Sequence, residues 1–263
     1  MPTRSFGRGL LAGSLMVLAF SAAAPARPNP RAKASPENTS PSRPSVELRL
    51  LCPGVWIHTS LYDYPDGHVI PANGLVVREK DGLVLIDTAW GELMTVDLLD
   101  RIAREIKLPV RRAIVTHAHM DRLAGADVLR RRGIPVFAHP LTITKAEEAG
   151  LPIPSHPLAD LRRAGDAEWI GSVEVFDPGT AHAPGNVMVW VPSERILFGG
   201  CAVKSADATS LGNLADADTH AWPGAIRRAM ERYPATTIVV PGHGAEGGKD
   251  LLTHTLDLLS ARR

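Results

Sequence analysis

The sequence predicts an α/β fold, a sandwich of two mixed sheets packed together with helices outside. Two observations lead to this expectation. In each half of the chain, short apolar strands joined mostly by hairpins precede a helix, and such elements bury their apolar faces by layering. In the first half, three side chains of metal-ligand type follow a buried strand, the edge at which α/β sheets bind ligands. The 263 residues suffice for one large domain or two small ones.

The composition favours small-molecule chemistry. Lys and Arg number 29 and Asp and Glu number 28, so the net charge of +1 provides no excess that would attract nucleic acid or an anionic membrane. We therefore expect a small-molecule substrate and no nucleic-acid partner. We also expect a monomer.

Residues 1–26 have the pattern of a cleaved secretory signal peptide. Arg4 and Arg8 precede an apolar stretch at residues 10–20, and Ala24-Pro25-Ala26 provides an A-x-A cleavage site. An N-terminal membrane anchor is the alternative, but the stretch is shorter than the roughly 20 apolar residues that span a bilayer. We therefore predict export to the periplasm without a stable membrane anchor.

The next segment differs from the rest of the chain in composition. Residues 27–45 are rich in Pro, Ser and charged side chains and have almost nothing apolar to bury, which predicts a disordered tether. The folded domain is predicted at residues 46–263. It starts with strand-like alternation at Leu48, at Leu50 and over residues 55–57.

The first half continues with a hairpin and a crossover. Strands are predicted at residues 74–77 and 83–87, because Asp81-Gly82 between apolar runs is a strong hairpin signal. Between the first strands, the polar and turn-rich residues 62–68 form either a flap over a pocket or a plain surface hairpin. Apolar residues at helical spacing predict the first helix at residues 93–106, before a strand that ends at residue 115.

The second half repeats this order. Strands are predicted at residues 173–177, 186–191 and 195–198, a helix at 222–232, a last strand at 237–240 and a final helix at 250–260. The similarity of the two halves is architectural and is not a sequence repeat.

Three side chains of metal-ligand type follow the strand that ends at residue 115. His117 and His119 stand two apart, so in an extended segment they point the same way, and a loop would bring Asp121 beside them. A single histidine at a strand end is more often a hydrogen-bonding or packing residue. Three ligand types in register favour a metal site.

Three further ligand types follow strands in the second half, namely His182, Cys201 and His243. Glycines precede Cys201 and His243, where the backbone must bend close to a site. The six side chains suffice for two zinc ions, one held by three histidines and one by Asp, Cys and His, each with a position left for water. The alternative for Cys201 is a disulfide with Cys52, the other cysteine of the chain.

Five short motifs stand in order along the chain, namely His117-x-His119-x-Asp121-Arg122, His182, Gly199-Gly200-Cys201-x-x-Lys204, Gly212-Asn213-Leu214-x-Asp216-Ala217-Asp218 and Pro241-Gly242-His243-Gly244. Together they resemble subclass B1 of the metallo-β-lactamases, from about residue 46 to the C-terminus. The resemblance implies a four-layer αβ/βα sandwich with two zinc ions at the edge between the sheets. It also implies hydrolysis of the amide bond of penicillins, cephalosporins and carbapenems, which confers resistance to these β-lactams. Other branches of the superfamily usually have His in place of Arg122 and lack the cysteine ligand.

The resemblance implies a mechanism with named roles. A zinc-bound water has its pKa lowered from about 15.7 to roughly 7, so a metal-bound hydroxide attacks the lactam carbonyl without a serine nucleophile. Asp121 would orient this water as well as bind metal. Lys204 would bind the substrate carboxylate, and Asn213 would donate to the carbonyl oxygen. A surface lysine and a plain Gly-Asn turn are the alternatives for these two residues.

The chain departs from the family pattern after its third histidine. Relatives usually have Thr or Ser there and an Asp-Asn pair two residues later, whereas this chain has Ala183 and Gly185-Asn186. Loss of hydrogen bonds behind metal ligands commonly weakens metal affinity by about 10- to 100-fold. The departure therefore predicts lower zinc occupancy or a changed substrate range.

Two other functions are compatible with the ligand set. Another secreted zinc hydrolase of the same fold, acting on a lactone or thioester, would differ at Lys204, Asn213 and residues 62–68. A non-catalytic zinc-binding protein would close each ion with four protein ligands. Three ligands per ion leave an open position and favour catalysis.

Overall fold

The structure, a computed structural model, describes residues 46–262. The predicted signal peptide and the predicted tether lie outside the described residues. Within residues 46–262, no helix is both long enough and apolar enough to cross a membrane.

The first sheet has seven strands in sequential order. They are β1 (Val46–Cys52), β2 (Val55–Asp63), β3 (Val69–Glu79), β4 (Gly82–Ile86), β5 (Val110–Val115), β6 (Val136–Ala138) and β7 (His156–Pro157). Neighbours from β1 to β4 run antiparallel, and neighbours from β4 to β7 run parallel. The sheet is therefore mixed, as predicted.

The second sheet has five strands in the order β12-β11-β10-β9-β8. They are β8 (Ala167–Ile170), β9 (Val173–Phe176), β10 (Met188–Val191), β11 (Ile196–Gly200) and β12 (Ile238–Pro241). Only its pair β11 and β12 is parallel; the other neighbours are antiparallel hairpins.

The described residues form six helices. They are α1 (Gly91–Glu105), α2 (Met120–Leu123), α3 (Ala126–Arg131), α4 (Pro140–Glu148), α5 (Trp222–Arg232) and α6 (Asp250–Ser260). α1 connects β4 to the parallel β5, so the predicted strand-helix-strand crossover is present.

Alternation along fully buried strands produces four layers. In β4, Val84 and Ile86 face the core between the two sheets, while Leu83 and Leu85 face the core under α1 and α3. The outer face of the second sheet packs against α5 and α6. A strand buried on both faces reads as a continuous apolar run because each face has its own core. The predicted sandwich of two sheets with helices outside is confirmed.

The hairpin at residues 62–68 is longer and more regular than the sequence predicted. β2 and β3 stay paired up to Asp63 opposite Val69, which leaves only a short turn at the tip.

Candidate metal centre

Two parallel strand pairs place the site residues at their carboxyl ends. β4 and β5 lead to Asp87 and His117, and β11 and β12 lead to Cys201 and His243. Parallel neighbours end at the same edge of a sheet, which is where α/β folds bind ligands.

The three predicted histidine ligands meet at one point. His119 Nδ1 lies 3.1 Å from His117 Nε2 and 3.2 Å from His182 Nε2. The segment from residue 116 to 119 is bent and not extended as predicted, so His117 and His119 converge through different ring nitrogens.

The other three predicted ligands form a second triad. Cys201 Sγ lies 3.6 Å from Asp121 Oδ2 and 3.3 Å from His243 Nε2, and these last two atoms are 3.3 Å apart. Asp121 is presented by the short helix α2. Both cysteines of the chain are free thiols, so the alternative of a disulfide between Cys52 and Cys201 is wrong.

Hydrogen bonds to neighbouring residues determine which ring nitrogen carries the proton in two histidines of the first triad. Thr116 Oγ1 donates to Asp87 Oδ2 at 2.9 Å, so it accepts from His117 Nδ1 at 3.3 Å and leaves His117 Nε2 with a lone pair. His119 Nε2 donates to Asp216 Oδ2 at 2.9 Å, which leaves His119 Nδ1 with a lone pair. Two lone pairs then face each other and repel unless a cation lies between them. The first triad therefore fits a metal ion.

The charges around the second triad also fit a metal ion. His243 Nδ1 donates to the carbonyl of Pro71 at 2.6 Å, so Nε2 faces Cys201 and Asp121. Burial alone would lower the pKa of His243, but Cys201 and the hydrogen bond with Asp121 raise this pKa to about 9. Two acidic ligands thus favour a positive charge beside Nε2, which a proton or a metal ion supplies.

Arg122 lies behind the second triad and is fully buried. Its Nε donates to Asp121 Oδ2 at 2.8 Å, its Nη2 donates to the carbonyl of Gly242 at 2.8 Å, and its Nη1 pairs with Asp87 at 3.3 Å. Burial would raise the pKa of Asp121, but Arg122 holds this pKa well below 3.8. A Cβ on Gly242 would lie 2.8 Å from Cys201 Sγ and from Arg122 Nη2, so this contact requires glycine.

The two departures after the third histidine have different consequences. His182 Nδ1 is buried and has no hydrogen-bond partner among the described residues, and the methyl group of Ala183 cannot supply one. Gly185, in contrast, adopts a φ of +69°, and a Cβ there would lie 2.8 Å from the backbone nitrogen of Thr142. Thr142 Oγ1 donates to the Gly185 carbonyl at 2.9 Å. Gly185 thereby allows α4 to anchor the loop that carries His182.

Both triads open into a cavity of about 620 Å³. Its wall includes five of the six ligands and both predicted substrate-binding residues, namely His119, Asp121, His182, Cys201, His243, Lys204 and Asn213. Lys204 is buried, and this burial lowers the pKa of its ammonium below 10.5. Asn213 is exposed, and its Oδ1 accepts from the backbone N–H of Ala215 at 3.1 Å. Asn213 is therefore both a turn residue and a cavity residue.

The hairpin at residues 62–68 borders this cavity. Tyr64, Ile70 and Trp90 line the wall, and the ring of Tyr62 stacks on Trp90 with centroids 4.8 Å apart. This position favours the flap interpretation over a plain surface hairpin.

Comparison with known proteins identifies the family. The family model of the metallo-β-lactamase superfamily matches residues 69–243. A metallo-β-lactamase type 2 from Bacillus sp. (strain 170) is 41% identical over 216 residues, which cover 82% of each chain. The chain belongs to the metallo-β-lactamase superfamily. A type 2 enzyme from Bacteroides fragilis is 34% identical over 82% of this chain and 86% of its own, so the resemblance to subclass B1 is confirmed.

Solved metallo-β-lactamases share the fold. The enzyme from Pontibacter korlensis is 43% identical with a TM-score of 0.77, covering 82% of this chain and 99% of its own. FIM-1 from Pseudomonas aeruginosa, solved in a mono-zinc form, is 32% identical with a TM-score of 0.79, covering 82% and 96%.

Some residues of this metallo-β-lactamase site were missed by the sequence analysis. Asp87 and Thr116 orient His117, and Asp216 orients His119; of these three, only Asp216 belongs to one of the five motifs. For Asp87 and Thr116, the available signal was a carboxylate or hydroxyl directly after buried strand residues, where an unpaired polar group would be costly.

Proposed function

We propose that this protein hydrolyses the amide bond of β-lactam antibiotics, including penicillins, cephalosporins and carbapenems, with two zinc ions bound at the candidate metal centre. The observation that carries the proposal is the pair of converging triads, each with three candidate ligands, of which five line one cavity. Three protein ligands per ion are typical of catalytic zinc, which keeps a position open for water or substrate. The names of the relatives support the choice of substrate.

Six side chains would hold the ions. One zinc would bind to His117, His119 and His182, and the other to Asp121, Cys201 and His243. Bound zinc would ionise a water near neutral pH and polarise the lactam carbonyl.

Other side chains of the protein would orient the water and bind the substrate. Asp121, held by Arg122 at 2.8 Å, would orient the water. Asn213 Oδ1 accepts from the backbone N–H of Ala215, which orients the side-chain amide, and its Nδ2 would donate to the carbonyl oxygen. Lys204 would bind the substrate carboxylate, and the apolar wall at Ile70 and Trp90 would contact the substituents.

Two wider inferences accompany this function. Residues 1–26 would direct export to the periplasm, where β-lactams reach their targets, and the mature protein would act there as a monomer without a membrane anchor. Hydrolysis in that compartment would confer resistance to β-lactams.

Turnover of nitrocefin by the purified mature protein tests the proposal. We expect hydrolysis that a chelator abolishes and added zinc restores, while a lactone and a thioester assayed in parallel are poor substrates. Full β-lactam hydrolysis by rigorously metal-free protein would contradict the zinc mechanism. Turnover of the lactone or thioester without turnover of nitrocefin would contradict the substrate.

A further inference from the structure

Two buried groups behind the cavity wall contact Lys204. The indole ring of Trp222 lies beside its ammonium, and the hydroxyl of Thr255 binds its backbone N–H. We propose that Trp222 and Thr255 are positioning residues that hold Lys204 ready for the substrate carboxylate. This inference rests on the proposed function and adds two positioning residues behind its binding site.

Trp222 fixes the charged end of the side chain. Lys204 Nζ lies 5.3 Å from the ring centroid, within the roughly 6 Å range of a cation–π contact. Trp222 is fully buried at the start of α5, and its Nε1 donates to the carbonyl of Ala202 at 2.8 Å. The ring is thus hydrogen-bonded to the same segment of chain that carries the lysine.

Thr255 fixes the other end, the backbone from which the side chain starts. Its Oγ1 donates to the carbonyl of Leu251 at 2.8 Å and accepts from the N–H of Lys204 at 2.9 Å. Thr255 is fully buried in α6. Because its hydroxyl hydrogen is used within the helix, an oxygen lone pair is aimed at the loop, and α6 sets the position of the Lys204 backbone.

An aromatic partner suits a lysine that must bind an anion. Among the ion pairs of residues 46–262, none includes Lys204. A carboxylate partner would neutralise the ammonium and compete with the substrate, whereas a ring face restrains it and leaves its charge available. Restraint before binding lowers the entropy lost when the flexible stem is ordered by substrate.

Double-mutant cycles on the zinc-loaded protein test the proposal. Trp222→Leu and Thr255→Val are each made in the wild type and in Lys204→Ala, with Trp222→Phe and Thr255→Ser as controls that keep the ring face or the hydroxyl. We expect Trp222→Leu and Thr255→Val to raise KM for nitrocefin about 2- to 30-fold. Zinc content should stay unchanged in Thr255→Val, and Thr255→Ser should stay near wild type. Trp222→Phe keeps a ring face but loses the Nε1 bond to Ala202, so its KM should lie between those of the wild type and Trp222→Leu.

The Lys204→Ala background separates positioning from a structural role. There, neither substitution should raise KM further, because the group that both residues hold is gone. Equal effects in both backgrounds, or an unchanged KM in the wild-type background, would overturn the inference. Thr255→Val is nearly isosteric, so the test stands even where Trp222→Leu fails to fold. If the wild type does not hydrolyse nitrocefin, the proposed function fails and the inference with it. If the wild type hydrolyses it and the cycles are additive, the inference alone fails.

Discussion

Arg122→Met removes the guanidinium that compensates two buried carboxylates behind the second triad. Methionine retains an apolar stem but donates no hydrogen bond. Asp121 therefore loses its 2.8 Å bond, and Asp87 loses its 3.3 Å ion pair. Arg122 is fully buried, and both carboxylates are buried with it. Removing one partner of a buried pair costs about 3 to 5 kcal/mol, since the remaining charge is uncompensated.

This loss should appear in the free energy of unfolding of the metal-free protein. Urea unfolding at neutral pH should show a decrease of about 3 to 5 kcal/mol, which for a domain of this size lowers Tm by roughly 6 to 20 °C. Metal-free protein is used because bound zinc would add its own stabilisation. The matched control is Arg131→Met, which breaks an exposed 2.7 Å ion pair with Glu92 and should change the free energy of unfolding far less, because water screens this pair. Equal losses for the two variants would refute the assignment of Arg122 as a buried counter-charge.

Four further outcomes test other parts of the site and fold. Cys201→Ser should lower the zinc content toward one ion and cut turnover, while metal analysis of Cys52→Ser should show no change. Gly185→Asp should lower the free energy of unfolding by roughly 1 to 3 kcal/mol, because aspartate would be strained at φ +69°; an unchanged Tm in calorimetry would contradict this. Lys204→Ala should reduce kcat/KM about tenfold to hundredfold with zinc content retained, and unchanged kinetics would mean that another group binds the carboxylate. Burial lowers the pKa of His58 to about 4, whereas an unfolded histidine titrates near 6.5. The free energy of unfolding should therefore decrease by up to about 3 kcal/mol as the pH falls from about 6.5 toward 4. Urea unfolding of His58→Gln at the same pH values should lack this decrease.

The spacing of apolar residues along the sequence predicted the long helices well. The helices at Trp222–Arg232 and Asp250–Ser260 match their predicted bounds, because an amphipathic pattern sustained over three turns has few alternative structures. The short elements between residues 120 and 172 were not predicted. α2 has four residues, which is too few to show a period, and its position depends on contacts with other elements.

The convergence of the six candidate ligands could be predicted, but the groups that orient them could not. Each ligand follows a strand, and the order of the motifs along the chain is visible in the sequence. The role of Gly185 is not visible, because it depends on Thr142, which lies 43 residues earlier in the chain. A loss of hydrogen bonds was predicted at this position, and the structure adds a close contact with α4 that a Cβ at this position would disturb. The prediction for Ala183 agrees with the unpartnered Nδ1 of His182.

In the proposed function, the two triads bind two zinc ions and hydrolysis depends on both. Equilibrium dialysis of the metal-free mature protein against buffered zinc, with nitrocefin turnover measured at each occupancy, tests it most directly. We expect saturation at two ions per chain, no turnover without metal and a lower saturation in Cys201→Ser. Saturation below two ions in the wild type, or turnover that does not change as zinc is removed, would contradict it.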